Sequence, residues 1–201
     1  AVKAATIFPD NPSSGRPMVN GGVNLFSDKT GALEAIIDFH LVTKWKTAAD
    51  SLWAAKRLAR PESKHIVIIG AGMAGICASI KLSEAGYHNH VIYEKADKVG
   101  GTWRENTYPG LSCDVPAQIY TYSFEPNPEW NSTFATGSEI YDYFHHVADK
   151  RGVYDKICFG EEITHCEFKD GAWDVRTGTG REERAAIVIA ATGVLHHPLV
   201  A

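Results

Sequence analysis

The chain has 201 residues, of which 44% are apolar and 22% are charged, and its formal net charge is −4. This composition is typical of a globular protein with a sizeable core, and it excludes the disordered and fibrous classes. The slightly negative charge provides no broad basic field to attract phosphodiester backbones, so we expect no nucleic acid as a partner.

The cysteines and the apolar pattern bear on the cellular compartment. The four cysteines, Cys77, Cys113, Cys158 and Cys166, form no C-x-x-C pair and lack zinc-site spacing. No window reaches about 18 consecutive apolar residues, and the first residues lack the charged and apolar regions of a signal peptide. The sequence therefore predicts a cytoplasmic protein with reduced thiols and no membrane span.

Residues 1–62 are predicted to form an N-terminal arm with two helices. Residues 1–30 are rich in Pro, Gly, Asn and Ser and show no sustained period, which is typical of irregular structure. Apolar residues recur at helical spacing between Leu33 and Leu41, and a second helical pattern runs from Ala48 to Arg60. We expect this helical extension to pack on the main domain; association of copies into a homo-oligomer is an alternative role.

Residues 63–201 are predicted to form an α/β domain of the Rossmann-like, dinucleotide-binding kind. The β-branched run His65–Ile69 suits a buried parallel strand, the stretch Ala74–Glu84 suits a helix, and Val91–Glu94 suits a second strand. Together they predict a βαβ unit and hence a parallel sheet.

Three further segments continue the α/β order. A capping-box pattern at Thr136–Glu139 predicts the start of a helix. The segments Glu162–Phe168 and Trp173–Arg176 flank the turn Lys169–Gly171, and they predict a small inserted β-hairpin. The run Ala185–Ala190 predicts another buried parallel strand.

The segment Gly70-Ala71-Gly72-Met73-Ala74-Gly75 is a G-x-G-x-x-G motif between a predicted strand and a predicted helix. Its glycines permit a tight turn, close approach of backbone to a pyrophosphate, and close helix packing. Glu94 follows about 20 residues later, where a carboxylate accepts hydrogen bonds from a ribose 2′-hydroxyl and repels a 2′-phosphate. The pattern favours FAD or NAD over NADP at this first site; a glycine-rich turn without a ligand is the alternative.

A second glycine pair occurs within Lys98–Trp103, although glycines alone also mark ordinary turns. From Gly100 to Phe124 the chain reads GGTWRENTYPGLSCDVPAQIYTYSF. This stretch resembles the FAD-domain segment of Baeyer–Villiger monooxygenases, with its GG-T-W, YPG, CD and Y-x-x-SF elements. The resemblance extends from about Lys64 to Pro198 and implies that FAD occupies the first site. It also matches Ala191–Gly193 to the family's second FAD contact.

The resemblance implies specific roles for residues of the FAD site. Glu94 would take the adenosine ribose, Ile163 would meet the adenine through its backbone, and Asp114 would orient the catalytic arginine of the family. The residues alone leave Asp114 open between pairing with a cation and capping a turn. The implied cofactor-binding residues are Gly70, Gly72, Met73, Ala74, Gly75, Glu94, Lys95, Gly101, Thr102, Trp103, Asp114, Tyr120 and Ile163, with Asp114 as the catalytic residue.

Two groups of polar side chains are assigned to the surface instead. Arg104, Glu105 and the pair His196-His197 are interpreted as solvated groups, because charged side chains and imidazoles outside a motif are mostly exposed. The cluster Asp142, His145, His146 and Asp149 is interpreted as one face of an amphipathic helix. No metal site is predicted.

By its resemblance, the chain is expected to be the FAD-binding part of an enzyme that uses NADPH and O2 to convert a ketone into an ester or lactone. The family's NADPH site and catalytic arginine are expected beyond Pro198, so this part alone is expected to be inactive and to need the remaining part of the enzyme. A related S- or N-oxygenating flavin monooxygenase and a non-catalytic FAD-binding module are the alternatives. The YPG-x-x-CD stretch favours the first interpretation over the S- and N-oxygenating enzymes.

Overall fold

The computed structural model describes residues 2–7, 19–38 and 64–193. The chain divides into two compact units, Ala1–Ala59 and Arg60–Ala201. The assignment of an arm to residues 1–62 and of an FAD-binding domain to residues 63–201 stays a prediction.

The described part of the first unit is a three-stranded antiparallel sheet in the order β1-β2-β3. Its strands are β1 (Val2–Ile7), β2 (Val19–Phe26) and β3 (Leu33–Asp38). The predicted irregular structure over residues 1–30 is therefore wrong where β1 and β2 lie. The predicted helix that starts at Leu33 is also wrong as far as Asp38.

The pairing of β3 with β2 explains why the helical spacing of apolar residues gave a wrong prediction. Ile37 pairs with Val23, whose side chain is buried, whereas the neighbouring Ile36 is 71% exposed. This alternation is that of a strand with one covered face, and β-branched residues favour it once a partner strand is available. The rest of the first predicted helix and the whole second one, Ala48–Arg60, lie outside the described residues.

The second unit contains the predicted parallel sheet, in the order β10-β4-β5-β6. Its strands are β4 (Ile66–Ile69), β5 (His90–Glu94), β6 (Ile157–Phe159) and β10 (Ile187–Ala190). Helix α1 (Met73–Glu84) joins β4 to β5 and completes the predicted βαβ unit. The Rossmann-like prediction is confirmed. Strand β10 is only half-buried, contrary to expectation, because it lies at the edge of the described sheet.

Two further helices follow β5. Helix α2 (Thr102–Glu105) is a single turn that the sequence did not predict, and helix α3 (Gly137–Lys150) starts at the predicted capping box. The Thr136 hydroxyl accepts the Glu139 N–H at 3.3 Å, and Glu139 Oε2 accepts the Thr136 N–H at 3.0 Å. A 3₁₀ turn, Tyr154–Lys156, then leads into β6.

The inserted hairpin is confirmed and carries a third strand. Strands β7 (Ile163–Lys169), β8 (Ala172–Thr177) and β9 (Glu182–Ala185) form an antiparallel sheet in that order. Ala185, which the sequence assigned to the last parallel strand, belongs instead to β9. Strand β9 therefore ends one residue before β10 begins. The sequence does not show this boundary, because Ala185 belongs to the same apolar run as β10.

The parallel sheet is covered on both faces by two hydrophobic clusters. Ile68 and Ile92 belong to a cluster with residues of α1 and α3, such as Ile76 and Phe144. Val67 and Tyr93 point the other way, into a smaller cluster that includes residues of β8 and β9. Burial on both faces explains why β4 and β5 are nearly continuous apolar runs.

A buried histidine joins β5 to α1. His90 is 5% exposed, its Nδ1–H donates to the Tyr87 carbonyl at 2.8 Å, and its Nε2 accepts the Ser79 hydroxyl at 2.8 Å. Because a carbonyl oxygen only accepts hydrogen bonds, this geometry assigns the neutral Nδ1–H tautomer. Burial lowers the pKa of His90, partly offset by its bond to Tyr87.

We expect this histidine to make the stability of the protein depend on pH. Unfolded His90 binds a proton near its ordinary pKa of 6.5, whereas folded His90 stays neutral to lower pH. The free energy of unfolding should therefore fall as pH drops through 6.5 towards the lower folded pKa, and it should level off above that range. Urea unfolding at pH 7, 6 and 5 measures the slope, and His90→Gln should reduce it. An unaltered slope in His90→Gln would contradict the assignment.

The third glycine of the motif should tolerate no side chain. A Cβ on Gly75 would lie 1.9 Å from the carbonyl oxygen of Gly70, so the backbone itself would have to move. Gly75→Ala should therefore lower the free energy of unfolding by at least about 2 kcal/mol. The matched control is Gly178→Ala, where the nearest atom is 3.6 Å away, and its effect should stay within about 0.5 kcal/mol. Equal effects in urea unfolding would show that the packing explanation is wrong.

Candidate nucleotide-binding site

A cleft of about 740 Å³ opens at the carboxyl ends of β4, β5 and β10. From β4 the chain crosses by α1 to β5 on one side, and β10 lies on the other side. This is a topological switch point, where open α/β sheets bind their ligands. The position of the cleft therefore follows from the strand order.

Two glycine loops meet at the floor of the cleft. A Cβ on Gly101 would lie 3.1 Å from the Gly72 Cα, and the Gly100 N–H donates to the Ala71 carbonyl at 3.0 Å. Gly101 also has φ +53°, a conformation that favours glycine. The second glycine pair thus lies backbone to backbone against the G-x-G-x-x-G loop, as expected if both loops face one ligand.

Helix α1 begins at the cleft. Its N-cap residue, Gly72, provides no side-chain cap, and Met73 and Ala74 of the first turn line the cleft. The amides of an uncapped first turn and the helix dipole favour an anionic group such as a phosphate. The Tyr122 hydroxyl donates to the Met73 carbonyl at 2.6 Å and so secures this end of the helix.

The carboxylate of Glu94 lies at the end of β5 and is almost buried, since the residue is 4% exposed. Its Oε2 accepts the Ala71 N–H at 2.6 Å, and its Oε1 accepts the Ala96 N–H at 3.0 Å. The Arg104 guanidinium lies 3.5 Å from the same Oε1. Glu94 thus joins the glycine loop to the residues that follow β5, and it lines the cleft where the ribose is predicted.

Aromatic side chains form the opposite part of the cleft. The rings of Trp103 and Tyr120 pack edge to face, with centroids 5.7 Å apart and planes at 80°. The indole N–H of Trp103 donates to the Tyr120 hydroxyl at 3.2 Å. Burial raises the pKa of Tyr120, and the bond from Trp103 partly offsets this. These rings provide a fixed apolar surface for a planar ligand.

Asp114 and Cys113 lie beside the aromatic pair. Asp114 is exposed and lines the cleft, and its charge contributes to the raised pKa of Tyr120. Cys113 is 6% exposed and its N–H donates to the Ala135 carbonyl at 3.0 Å. Burial is the main cause of the raised pKa of the Cys113 thiol. The aromatic end of the cleft therefore carries one solvent-accessible negative charge.

The structure brings the predicted site residues together in one cleft. All of them line it except Gly75, which packs behind the loop against Gly70. Ala191, Thr192 and Gly193 also line it. The residues that line the cleft and that sequence reasoning did not select include Arg104, Asn106, Glu161 and Glu162.

Arg104 corrects an expectation. It was assigned to the solvated surface, yet its side chain is only 13% exposed and it contacts Glu94. A sequence signal existed, because Arg104 lies three residues after Gly101 of the second glycine pair. The sequence does not predict the contact between Arg104 and Glu94, because this contact depends on how the loop between them folds back. The histidines His196 and His197 lie outside the described residues.

Across residues 2–7, 19–38 and 64–193, no group of three or more His, Cys, Asp or Glu side chains is arranged to hold a metal ion. No helix in the same ranges has the length and apolar character needed to cross a membrane.

Comparison with protein families finds two matching models. The model of the NAD(P)-binding Rossmann-like domain matches residues 68–136. The model of the ornithine cyclodeaminase/mu-crystallin family matches residues 1–95. The two matches share residues 68–95, which hold the first glycine loop, α1 and β5. This shared segment defines a class of nucleotide-binding fold but does not by itself choose a family.

Individual relatives identify the family. An uncharacterized monooxygenase of Mycobacterium tuberculosis is 50% identical over 135 residues, which are 67% of this chain and 27% of that protein. A Baeyer–Villiger monooxygenase of Streptomyces coelicolor is 39% identical over 141 residues, 69% of this chain and 27% of that protein. The chain thus spans about a quarter of the length of the curated relatives it matches.

Solved structures agree with the sequence matches. The NADP+-bound cyclohexanone monooxygenase of Rhodococcus sp. Phi1 is 34% identical, with a TM-score of 0.65, over 68% of this chain and 27% of that one. A complex of OTEMO with FAD and NADP is 29% identical, with a TM-score of 0.61, over 67% of this chain and 26% of that one. The fold and the cleft define a Rossmann-like dinucleotide-binding protein. More particularly, the chain belongs to the Baeyer–Villiger flavoprotein monooxygenase family and corresponds to its N-terminal portion.

We expect Cys113 to resist alkylation in the folded protein. Its thiol is buried at the cleft and burial raises its pKa, so both access and the thiolate fraction are reduced. Iodoacetamide treatment at pH 7.5, followed by peptide mass spectrometry, should label Cys113 more slowly in native protein than in urea-unfolded protein. Cys113→Ser identifies the labelled peptide. Equal rates in the two states would contradict the burial of this thiol.

Proposed function

We propose that the second unit is the FAD-binding part of a Baeyer–Villiger monooxygenase. The observation that carries this proposal is the meeting of two glycine loops, an uncapped helix start, the Glu94 carboxylate and the Trp103–Tyr120 pair in one cleft. A dinucleotide with two phosphates, a ribose and a planar ring needs these groups in one continuous site. The family membership supports FAD as that dinucleotide.

The residues of the cleft fit the parts of FAD. Glu94 would accept the ribose hydroxyls, and its charge would exclude a 2′-phosphate. The first-turn amides of α1 would hold the pyrophosphate, because no side chain caps them and Gly72 allows the backbone to approach the phosphates. Ile163 and Lys95, which also line the cleft, would lie at the adenine end, and Trp103 and Tyr120 would bound the flavin ring.

The proposed reaction belongs to the whole enzyme of the family, of which this chain spans about a quarter. When bound, the flavin accepts reducing equivalents from NADPH and supplies oxygen from O2 for insertion next to a ketone carbonyl. The described residues would bind and orient the cofactor, and Trp103 and Tyr120 would contact its ring. The exposed Asp114 carboxylate is proposed to pair with a cationic side chain supplied by the remaining part of the enzyme.

The compartment and the association of this protein stay predictions. All four cysteines are free thiols in the described residues, which suits the reducing cytoplasm. Formation of a homo-oligomer through the first unit is also kept as a prediction.

A second candidate is a module that binds NAD without flavin chemistry. The match of residues 68–136 to an NAD(P)-binding Rossmann-like domain favours it, because the first glycine loop serves either dinucleotide. An S- or N-oxygenating flavin monooxygenase is the remaining alternative, and its products would be oxidised heteroatoms instead of esters.

The test is to purify the chain, record its visible spectrum, release the ligand by heating and identify it by chromatography. FAD at near-stoichiometric amount, retained or taken up on addition, is the expected result. Glu94→Gln should weaken FAD binding roughly 10-fold or more, because a charged hydrogen-bond acceptor is lost. Glu129→Gln, the same change at an exposed site away from the cleft, should have no effect. A colourless protein that binds NAD but does not bind added FAD would contradict the proposal and support the second candidate.

A further inference from the structure

Arg104 is a nearly buried cation with several protein partners. Its side chain is 13% exposed, and it lies on the single-turn helix α2 at the edge of the cleft. The NH1 group donates to Glu94 Oε1 at 3.5 Å and to the Lys98 carbonyl, and the NH2 group donates to Glu105. A guanidinium held in this way has a defined orientation, unlike a solvated surface arginine.

The pair with Glu94 balances a charge that would otherwise be costly. The Glu94 side chain is 5% exposed, and a buried carboxylate needs hydrogen bonds and a nearby positive charge. The amides of Ala71 and Ala96 provide the hydrogen bonds. Arg104 provides the charge from α2, which follows the second glycine loop, whereas Ala71 belongs to the first glycine loop.

The same guanidinium joins the second glycine loop to the end of β5. Its bond to the Lys98 carbonyl lies within the loop, and its bond to Glu94 crosses to the strand. The Cβ of Arg104 is also close to the loop backbone, since a Cβ on Gly100 would lie 3.2 Å from it. One side chain therefore contacts both the second glycine loop and the carboxylate.

We propose that Arg104 is a positioning residue for the adenosine end of the cofactor, an inference that rests on the proposed function. It holds the Glu94 carboxylate in the orientation that accepts ribose hydroxyls. It also affects specificity, because a guanidinium already paired with Glu94 is not available to bind a 2′-phosphate. Loss of Glu94 would leave this cation facing the ribose.

The first experiment measures binding of adenosine 5′-diphosphate, which carries the adenosine end alone, by isothermal titration calorimetry. Arg104→Met keeps the aliphatic stem and removes the charge, and it should raise the Kd for this probe about tenfold. Arg104→Lys restores the charge and should recover most of the loss. The matched control is Arg176→Met, which breaks an exposed Arg–Glu pair outside the cleft and should leave the Kd unchanged.

The second experiment separates positioning from a merely structural role. Wild-type protein should bind adenosine 5′-diphosphate more tightly than adenosine 2′,5′-bisphosphate. Glu94→Gln should narrow or reverse this preference, because Arg104 becomes free to meet the 2′-phosphate. Adding Arg104→Met to Glu94→Gln should remove that gain. A structural role would instead weaken both probes equally in every variant.

The outcomes distinguish this inference from the proposed function. If the wild type binds neither FAD nor adenosine 5′-diphosphate, both the proposed function and the role of Arg104 are overturned. Wild-type binding with an unchanged Kd in Arg104→Met, or with equal losses for both probes, would overturn the role of Arg104 alone. Circular dichroism and urea midpoints check that each variant is folded. If Arg104→Met does not fold, the comparison of Glu94→Gln with wild type decides, and an unchanged preference against the 2′-phosphate would overturn the inference.

Discussion

The buried carboxylate of Glu94 is the group on which the organisation of the cleft depends. It accepts one hydrogen bond from the first glycine loop, through Ala71, and another from Ala96 after β5. It also pairs with Arg104 from the second glycine loop. A charge that is almost removed from water must be satisfied in full, so these three segments are held together by one side chain. The two loops then come so close that a Cβ on Gly101 would lie 3.1 Å from the Gly72 Cα.

The parallel sheet provides the frame for this arrangement. Strands β4 and β5 alternate between two clusters, one with α1 and α3 and the other with the small antiparallel sheet. Covering both faces leaves the carboxyl edge of the sheet as the place where a ligand can approach the backbone. The same edge brings Ile163 of the small sheet and Trp103 of α2 into one cleft.

The two family models match different but overlapping parts of the chain. The ornithine cyclodeaminase/mu-crystallin model covers the first unit and continues through the first βαβ unit, whereas the Rossmann-like model begins at residue 68 and continues to 136. Their shared part is the nucleotide-binding core common to many proteins. The Baeyer–Villiger assignment therefore depends on the residues after that core, where GG-T-W, YPG and CD occur.

The sequence by itself determined the elements whose signals are local. The βαβ unit, the capping box at Thr136 and the hairpin turn at Lys169–Gly171 each depend on neighbouring residues, and each was predicted correctly. The spacing after the G-x-G-x-x-G motif predicted a role for Glu94, and the family resemblance predicted one for Trp103; both residues line the cleft. The tertiary structure alone decided β3, where pairing with β2 overrode a helical spacing of apolar residues, and the break between β9 and β10 inside one apolar run. It alone also decided the place of Arg104, because a contact between the last residue of β5 and a residue of α2 depends on how the chain folds back, which no local pattern records.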